Sequence, residues 1–374
     1  MPLAYRKENA LNAICPYFTM FPLEYPTKVL KKHQKERPVV LDPFCGRGTT
    51  LFAARNFQLD AWGIDSSPVA AAIAKAKLAS CEINAPLELA AQLIANVDPQ
   101  EIPESLFFGR AYHAKALREI CALREGLSRL EAESDASVIL RAAALGCLHG
   151  PLPKNAENAG YFSNQMPRTY ASKPDYAVRY WKERGLKAPR IDVLRVLRRK
   201  IERLAGLATK SPSSFIQVLQ GDAQSADVFR SIEAAPSIVI TSPPYYGMRT
   251  YVQDQWLRNW FLGGPGHVDY SAGPQLDHGG KEAFSSSLGT VWRNIGERAT
   301  ESESLHMYVR FGIIPSAEVN AKEIFRNSLE ESGINWRVVS VRAADSADAG
   351  KRQADQMKAD SAAAVEFDFH VERI

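Results

Sequence analysis

The sequence predicts an α/β fold in which a doubly wound, mostly parallel sheet is interrupted by a helical insertion. Three observations lead there. Short apolar runs ending in Asp-containing turns alternate with helix-like stretches near the N-terminus. Strand signals then vanish between about residues 86 and 212, and the alternation resumes from residue 213. Strands separated by helical stretches build parallel sheets, because a parallel partner needs a crossover connection.

Taken in order, PVVLDPF (38–44) is a short apolar run that stops at Asp-Pro, as a buried parallel strand does. The turn Cys45-Gly46-Arg47-Gly48 follows, then TTLFAARNF with apolar residues at helical spacing. AWGIDSSP ends a second strand at Asp65, and VAAAIAKAKLAS continues as a helix. ELAAQLIANV, AKALREICALREGLSRLEAE, ASVILRAAALGCL and IDVLRVLRRKIERLAGL carry helical periodicity through the insertion. KNAENAGYFSNQMPRTYASKPDYAVRYW reads as irregular. FIQVLQGDAQ and SIVITSPPY restore the strands, the polar segment 263–290 reads as a loop, and HMYVRFGII and the helix AEVNAKEIFRNSLEESG follow. NWRVVSVRAA and AAVEFDFHVER are expected to pair antiparallel. One sheet is therefore expected from 1–85 and 213–374, with 86–212 as the helical insertion.

The totals suit a soluble globular protein: 374 residues, 45% hydrophobic and 24% charged. No apolar run reaches the roughly 20 residues of a membrane helix. MPLAYRKENALNAI shows no export signal, so a cytoplasmic location is expected, with no membrane partner. Five scattered cysteines form no C-x-x-C pair and seven histidines no H-E-x-x-H, so no metal site is expected. Residues 161–210 hold 13 Lys/Arg against 4 Asp/Glu, a local charge of +9 in a chain of +4. Such a concentration points to a polyanionic partner, or else to a solvated helix face.

DPFCGRGTT joins a strand end, a Gly-x-Gly turn and a helix start. The third glycine of the dinucleotide fingerprint is absent, Leu51 standing there, and no P-loop occurs. Asp65, 19 residues after Gly46, ends the next strand where a carboxylate can accept hydrogen bonds from ribose hydroxyls. A ligand with a ribose and no required phosphate fits, and S-adenosylmethionine is such a ligand.

DPFCGRGTT resembles the cofactor motif of the amino-directed (N4-cytosine/N6-adenine) S-adenosylmethionine-dependent DNA methyltransferases, and ITSPPY (240–245) resembles their catalytic motif. FPLEYPTKVLKKH (21–33) resembles the helix entry before the cofactor motif, and GDAQ (221–224) the segment whose acid meets the cofactor's adenine. Four motifs in order cover about residues 17–80 and 213–374. The resemblance implies a Rossmann-like methyltransferase sheet with an antiparallel C-terminal strand. It implies cofactor contacts at Thr27, Asp42, Phe44, Gly46, Gly48, Thr49, Asp65, Ser66 and Asp222, and a catalytic set of Ser242, Pro243, Pro244 and Tyr245.

The chemistry suits those residues. An exocyclic amine on a base is a poor nucleophile because its lone pair is delocalised into the ring. Ser242 Oγ and the Pro243 carbonyl can accept its protons, the prolines fixing φ so that the carbonyl is preorganised. Tyr245 offers a face for a flipped base, and Tyr246 can line the pocket. C5-cytosine chemistry is not expected, since no Pro-Cys pair occurs. Serine at the first motif position resembles the N4-cytosine members, while Asp or Asn more often accompanies N6-adenine; N4-cytosine is favoured by analogy.

Double-stranded DNA is the expected partner, with a cognate restriction or defence-system protein as a further one. The insertion precedes Asp222, a departure from the better-known motif arrangements, and the +9 segment lies within it. Asn164, Gln165 and Arg168 are candidates for base edges, and Lys173, Arg198 and Arg199 for phosphates, with Tyr161, Tyr170 and Trp181 interleaved. Arg249, Tyr251 and Trp256 are expected at the mouth of the site, and Trp260 and Phe261 in the core. An RNA or protein N-methyltransferase, or an inactive nucleic-acid-binding relative, are the rival readings.

Overall fold

In the computed structural model the apolar runs become strands: β1 (Val40–Asp42), β2 (Ala61–Asp65), β3 (Ile216–Gln220), β4 (Ile238–Thr241), β5 (His306–Gly312), β6 (Trp336–Ala343) and β7 (Glu366–Arg373). The structure describes residues 7–17, 22–151, 159–163, 173–204, 214–247, 251–271, 275–302, 304–313, 319–344 and 366–374. Two compact units account for the chain. One comprises Tyr17–Ala74, Pro212–Arg249 and Ala272–Ile374; the other comprises Met1–Pro16, Lys75–Ser211 and Thr250–Ser271.

The first unit holds a seven-stranded sheet in the order β3-β2-β1-β4-β5-β7-β6. Strands β3, β2, β1, β4 and β5 run parallel, and β7 lies antiparallel to both β5 and β6. This is the mixed α/β sheet that the alternating runs imply, with the late antiparallel pairing in place. The chain builds outward from β1 to β3, then returns to the other side of β1 with β4. The strand order therefore reverses between β1 and β4, and in open α/β sheets ligands bind outside the carboxyl ends at such a reversal.

The helices of this unit include α1 (Glu24–His33), α2 (Thr49–Asn56), the first seven residues of α3 (Pro68–Leu78), α10 (Ala226–Arg230), α13 (Lys281–Arg298) and α14 (Ala321–Glu331). The central strands β1 and β4 are buried along their whole length, consistent with helices on both faces. Phe284, Leu288, Val291, Trp292 and Ile295 of α13 join Met307, Val309 and Phe311 of β5 in the main core.

α13 corrects the loop expected over 263–290, since its first ten residues are helical. KEAFSSSLGT has poor helix propensity, but Phe284 and Leu288 sit at helical spacing and are buried. Gly289 is required for packing: a Cβ there would lie 2.8 Å from the Ser328 carbonyl oxygen of α14.

The second unit is helical: α4 (Asn84–Asn96), α5 (Leu106–Ala111), α6 (Ala114–Ser128), α7 (Asp135–Cys147), α8 (Pro174–Glu183), α9 (Val193–Glu202), α11 (Tyr251–Asp254) and α12 (Trp256–Phe261). The reading of 154–181 as irregular fails at α8, which starts with Pro174 in its first turn and buries Ala177 and Trp181. Phe107 packs against Trp256 at 4.7 Å and Trp181 at 5.3 Å, and Phe108 against Trp260 at 4.5 Å. Trp256 thus belongs with Trp260 and Phe261 in the core, and Trp181 is fully buried, not interleaved with surface charge.

Candidate functional site

Asp42 is the last residue of β1, and the turn after it is built on its carboxylate. Its Oδ1 accepts from the Phe44 backbone N–H at 3.2 Å and from the Thr241 hydroxyl at 2.6 Å. Thr241 ends β4 and directly precedes Ser242. One residue into the next helix, the Thr50 hydroxyl donates to the Ile240 carbonyl at 3.2 Å. The strand end carrying the glycine turn and the strand end carrying the Pro-Pro turn are therefore locked together by side chains. Burial raises the Asp42 pKa to about 6, opposed by hydrogen bonds from Thr241, Thr50 and Phe44.

The glycine turn crosses to β2. Cys45 N–H donates to the Ile64 carbonyl at 2.9 Å, and Gly46 N–H donates to Asp65 Oδ2 at 2.8 Å. Asp65 Oδ1 takes the Ser67 N–H at 2.9 Å, which turns the chain into α3. Asp65 is thus both a loop anchor and, through its remaining lone pairs, an acceptor at the sheet edge. Its pKa is also raised to about 6, by burial against the two amide hydrogen bonds.

The two glycines differ. Both have positive φ, +50° at Gly46 and +73° at Gly48. A Cβ on Gly48 would lie 2.7 Å from the Ala74 Cβ, whereas a Cβ on Gly46 would meet nothing closer than 4.0 Å. Gly48 lets α3 pack, and Gly46 borders open space. Thr49 is buried with its hydroxyl unpaired among the described residues. Phe44 is half-buried, edge-on to Trp292 at 6.4 Å.

Ser66 follows Asp65 and is exposed. Gly221 N–H donates to the Asp65 carbonyl at 3.0 Å, so β3 ends beside β2, and Asp222 follows with its carboxylate accepting from Gln224 N–H at 2.9 Å. After β4, Pro243 is buried while Ser242, Pro244 and Tyr245 are half-buried. The Tyr245 ring is edge-on to Phe311 at 6.4 Å. Tyr246 forms a bridge to Ile313 and packs edge-on to Phe284 at 5.4 Å. Gly247 N–H donates to His278 Nδ1 at 3.4 Å.

The structure brings Asp42, Phe44, Gly46, Gly48, Asp65, Ser66, Asp222, Ser242, Pro243, Pro244 and Tyr245 to the carboxyl-end edge of one sheet. Thr27 lies on α1, and its hydroxyl donates to the Leu23 carbonyl at 2.7 Å within that helix. Of the residues expected at DNA, Lys173 precedes α8 in the helical unit, its ammonium 5.5 Å from the Tyr270 ring. Arg198 is exposed on α9, and Arg199 donates to the Ala159 carbonyl at 3.5 Å. Asn164, Gln165, Arg168, Tyr170 and Arg249 lie outside the described residues, as does the side chain of Tyr251. Thr50, Thr241 and His278 are participants that the sequence did not reveal. Thr241 adjoins the Pro-Pro motif, but its partner lies 199 residues away.

Residues 3–76 match the family described as DNA methylase, which covers N6 and N4 methyltransferases. No curated protein matches the chain. Among solved structures, the rRNA methyltransferase aviRa from Streptomyces viridochromogenes is 13% identical, with 98% of this chain and 93% of that chain covered at a TM-score of 0.35. A structure titled for conversion of a disulfide bond into a thioacetal group during echinomycin biosynthesis is 10% identical, covering 93% and 80% at a TM-score of 0.31. Likenesses at such low TM-scores carry no argument, and the fold rests on the strand order itself.

Proposed function

We propose that this protein is an S-adenosylmethionine-dependent DNA methyltransferase acting on the exocyclic amine of a flipped base, N4 of cytosine ahead of N6 of adenine. The observation that carries the proposal is the 2.6 Å hydrogen bond from Thr241 to Asp42, which joins the two motif-bearing strand ends at the reversal of strand order. The match of residues 3–76 to the DNA methylase family supports it independently.

The residues fit the cofactor. Gly46 borders open space, Asp65 keeps acceptor lone pairs for ribose hydroxyls, and Asp222 stands at the end of the neighbouring strand. Phe44 and the unpaired Thr49 hydroxyl add an apolar edge and a polar atom beside the turn. When bound, S-adenosylmethionine supplies a methyl group activated by its sulfonium charge.

The chain itself handles the amine. Ser242 Oγ and the Pro243 carbonyl accept its hydrogens, which withdraws the nitrogen lone pair from the ring and aims it outward. Both acceptors follow a strand end tied to Asp42, so they are held before substrate arrives, and positioning supplies most of the rate. Tyr245, with its edge against Phe311, offers a face to the unstacked base.

Incubating the purified chain with duplex DNA and isotopically labelled S-adenosylmethionine, then analysing nucleosides by mass spectrometry, tests the proposal. N4-methylcytosine is expected. N6-methyladenine would reassign the base, and label in RNA alone would refute a DNA substrate. Ser242→Ala and Tyr245→Ala should keep cofactor binding by calorimetry and lose methyl transfer; full activity in both would refute the mechanism.

A further inference from the structure

A second constellation of titratable groups lies at the opposite end of the sheet. Side chains alternate along a strand, so His306, Tyr308 and Arg310 of β5 share one face. The register sets His306 against Glu372, Tyr308 against His370 and Arg310 against Asp368, so all six share it. The other face of the same strands is apolar, with Met307, Val309, Phe311, Phe369 and Val371 buried. His306 opens β5, which runs parallel to β4, so this constellation lies where β4 begins and the Pro-Pro turn lies where it ends.

Three donor atoms converge there. His306 Nδ1 is 3.3 Å from His370 Nε2 and 3.3 Å from Glu372 Oε1, and the third edge, from His370 Nε2 to Glu372 Oε1, is 3.7 Å. Both edges that end on Glu372 exceed the usual length of an N–H···O hydrogen bond, about 2.7–3.2 Å, and the two ring nitrogens lie within hydrogen-bond reach of each other. A tetrahedral ion with ligand bonds of about 2.0–2.1 Å separates its ligand atoms by roughly 3.3–3.4 Å. Two edges of the triangle match those of such a tetrahedron, and the 3.7 Å edge closes to that length with a small rotation of the Glu372 carboxylate.

We propose that His306 Nδ1, His370 Nε2 and Glu372 Oε1 form a site for a divalent transition-metal ion, zinc by its donor set, with the fourth position open to water. Two imidazoles and one carboxylate favour zinc-like ions over magnesium or calcium, which take oxygen ligands. The side chains are 25%, 19% and 21% exposed, so an ion can reach them from solvent.

The surroundings hold the donors in place. Glu372 Oε2 accepts from Arg337 at 2.5 Å, which leaves Oε1 for the ion. The Tyr308 ring stacks on the His370 imidazole at 4.3 Å and 6°. His33 closes one side with its ring 5.3 Å from that of His306, and both its nitrogens are engaged, with the Tyr308 hydroxyl and with Glu36, each at 2.9 Å. Such outer contacts orient metal ligands. Burial and the neighbouring His306 hold the His370 pKa below its ordinary value, and the Arg337 hydrogen bond holds that of Glu372 down. The Arg337 charge opposes the ion and weakens its binding. The ion joins β5 to β7 and so staples the antiparallel strand to the parallel part of the sheet.

The test uses the full chain after chelator treatment and dialysis, titrated with Co²⁺ alone by visible absorption and with Zn²⁺ alone by calorimetry. One equivalent of Co²⁺ with d–d bands, displaced by Zn²⁺, is expected, together with a Tm that rises with Zn²⁺ concentration. His306→Ala and His370→Ala should abolish the bands and the Tm response while retaining the circular dichroism of the native chain. Glu372→Gln keeps the shape and an acceptor for Arg337 but presents an amide to the ion; it should lose the bands too, and reads the site should the histidine variants not fold. No Co²⁺ bands and no Zn²⁺ heat at micromolar to millimolar metal would overturn the proposal. So would one equivalent retained in Glu372→Gln or in a folded His306→Ala/His370→Ala double variant.

Discussion

Gly46 and Gly48 share a left-handed backbone and differ in what faces them. Alanine at either position costs roughly 1–2 kcal/mol for its conformation. At Gly48 it also drives a methyl group into α3, adding about 1–3 kcal/mol. Chemical denaturation should therefore show Gly48→Ala as the less stable variant, while Gly46→Ala should lose more affinity for S-adenosylmethionine in calorimetry. DPFCGRGTT made both glycines legible as turn residues. Which of them faces a neighbouring helix was not legible, because Ala74 becomes a neighbour only when α3 folds back. Asp42 carries a pH signature. The folded state holds its proton more tightly than the unfolded chain, raising the pKa from 3.8 to about 6. Its contribution is thus most favourable below about pH 4 and is lost as the pH rises to about 6, by roughly 3 kcal/mol. Unfolding free energies measured between those pH values should fall less steeply in Asp42→Asn than in the natural chain; equal slopes would contradict the burial of this carboxyl.

At the scale of elements, β1, β2 and β4 were readable because buried parallel strands are short apolar runs with turn residues after them. α13 was not, since the Ser- and Gly-rich start of the helix is stabilised by packing on the sheet and α14, and packing is invisible to local propensity. α8 was missed because most of its face is polar, with burial confined to Ala177 and Trp181. The histidines at 306 and 370 read as dispersed because strand register, not spacing along the chain, brings them together. α9 turns Val193, Val196, Leu197 and Ile201 inward and leaves Arg195 and Arg198 exposed, with Arg203 exposed just after it. If this face meets DNA, Arg198→Glu should weaken binding and lower the slope of log affinity against log salt by about 1. Filter-binding or fluorescence titrations at several salt concentrations decide it, and unchanged affinity throughout would exclude α9 from the interface.

For the whole molecule, the sheet is assembled from segments that the helical insertion separates. β1 pairs with β2 nearby and with β4 about two hundred residues on, and β7 fills the gap between β5 and β6. Deleting residues 366–374 removes an internal strand, not an edge, and strips the apolar residues Phe369 and Val371 from the core. The shortened chain should lose its cooperative thermal transition by circular dichroism; a sharp native-like transition would mean that β5 closes the sheet unaided. The alternation of strands and helices foretold this architecture, one sheet drawn from both ends of the chain. The bond between Thr241 and Asp42 has a thermodynamic corollary. One carboxylate serves both strand ends, so a displacement of the glycine turn reaches the Pro-Pro turn through a single hydrogen bond, and any coupling of affinities across it is reciprocal. On the proposed function, whatever factor the cofactor imposes on nucleic-acid affinity, the nucleic acid imposes on cofactor affinity in return.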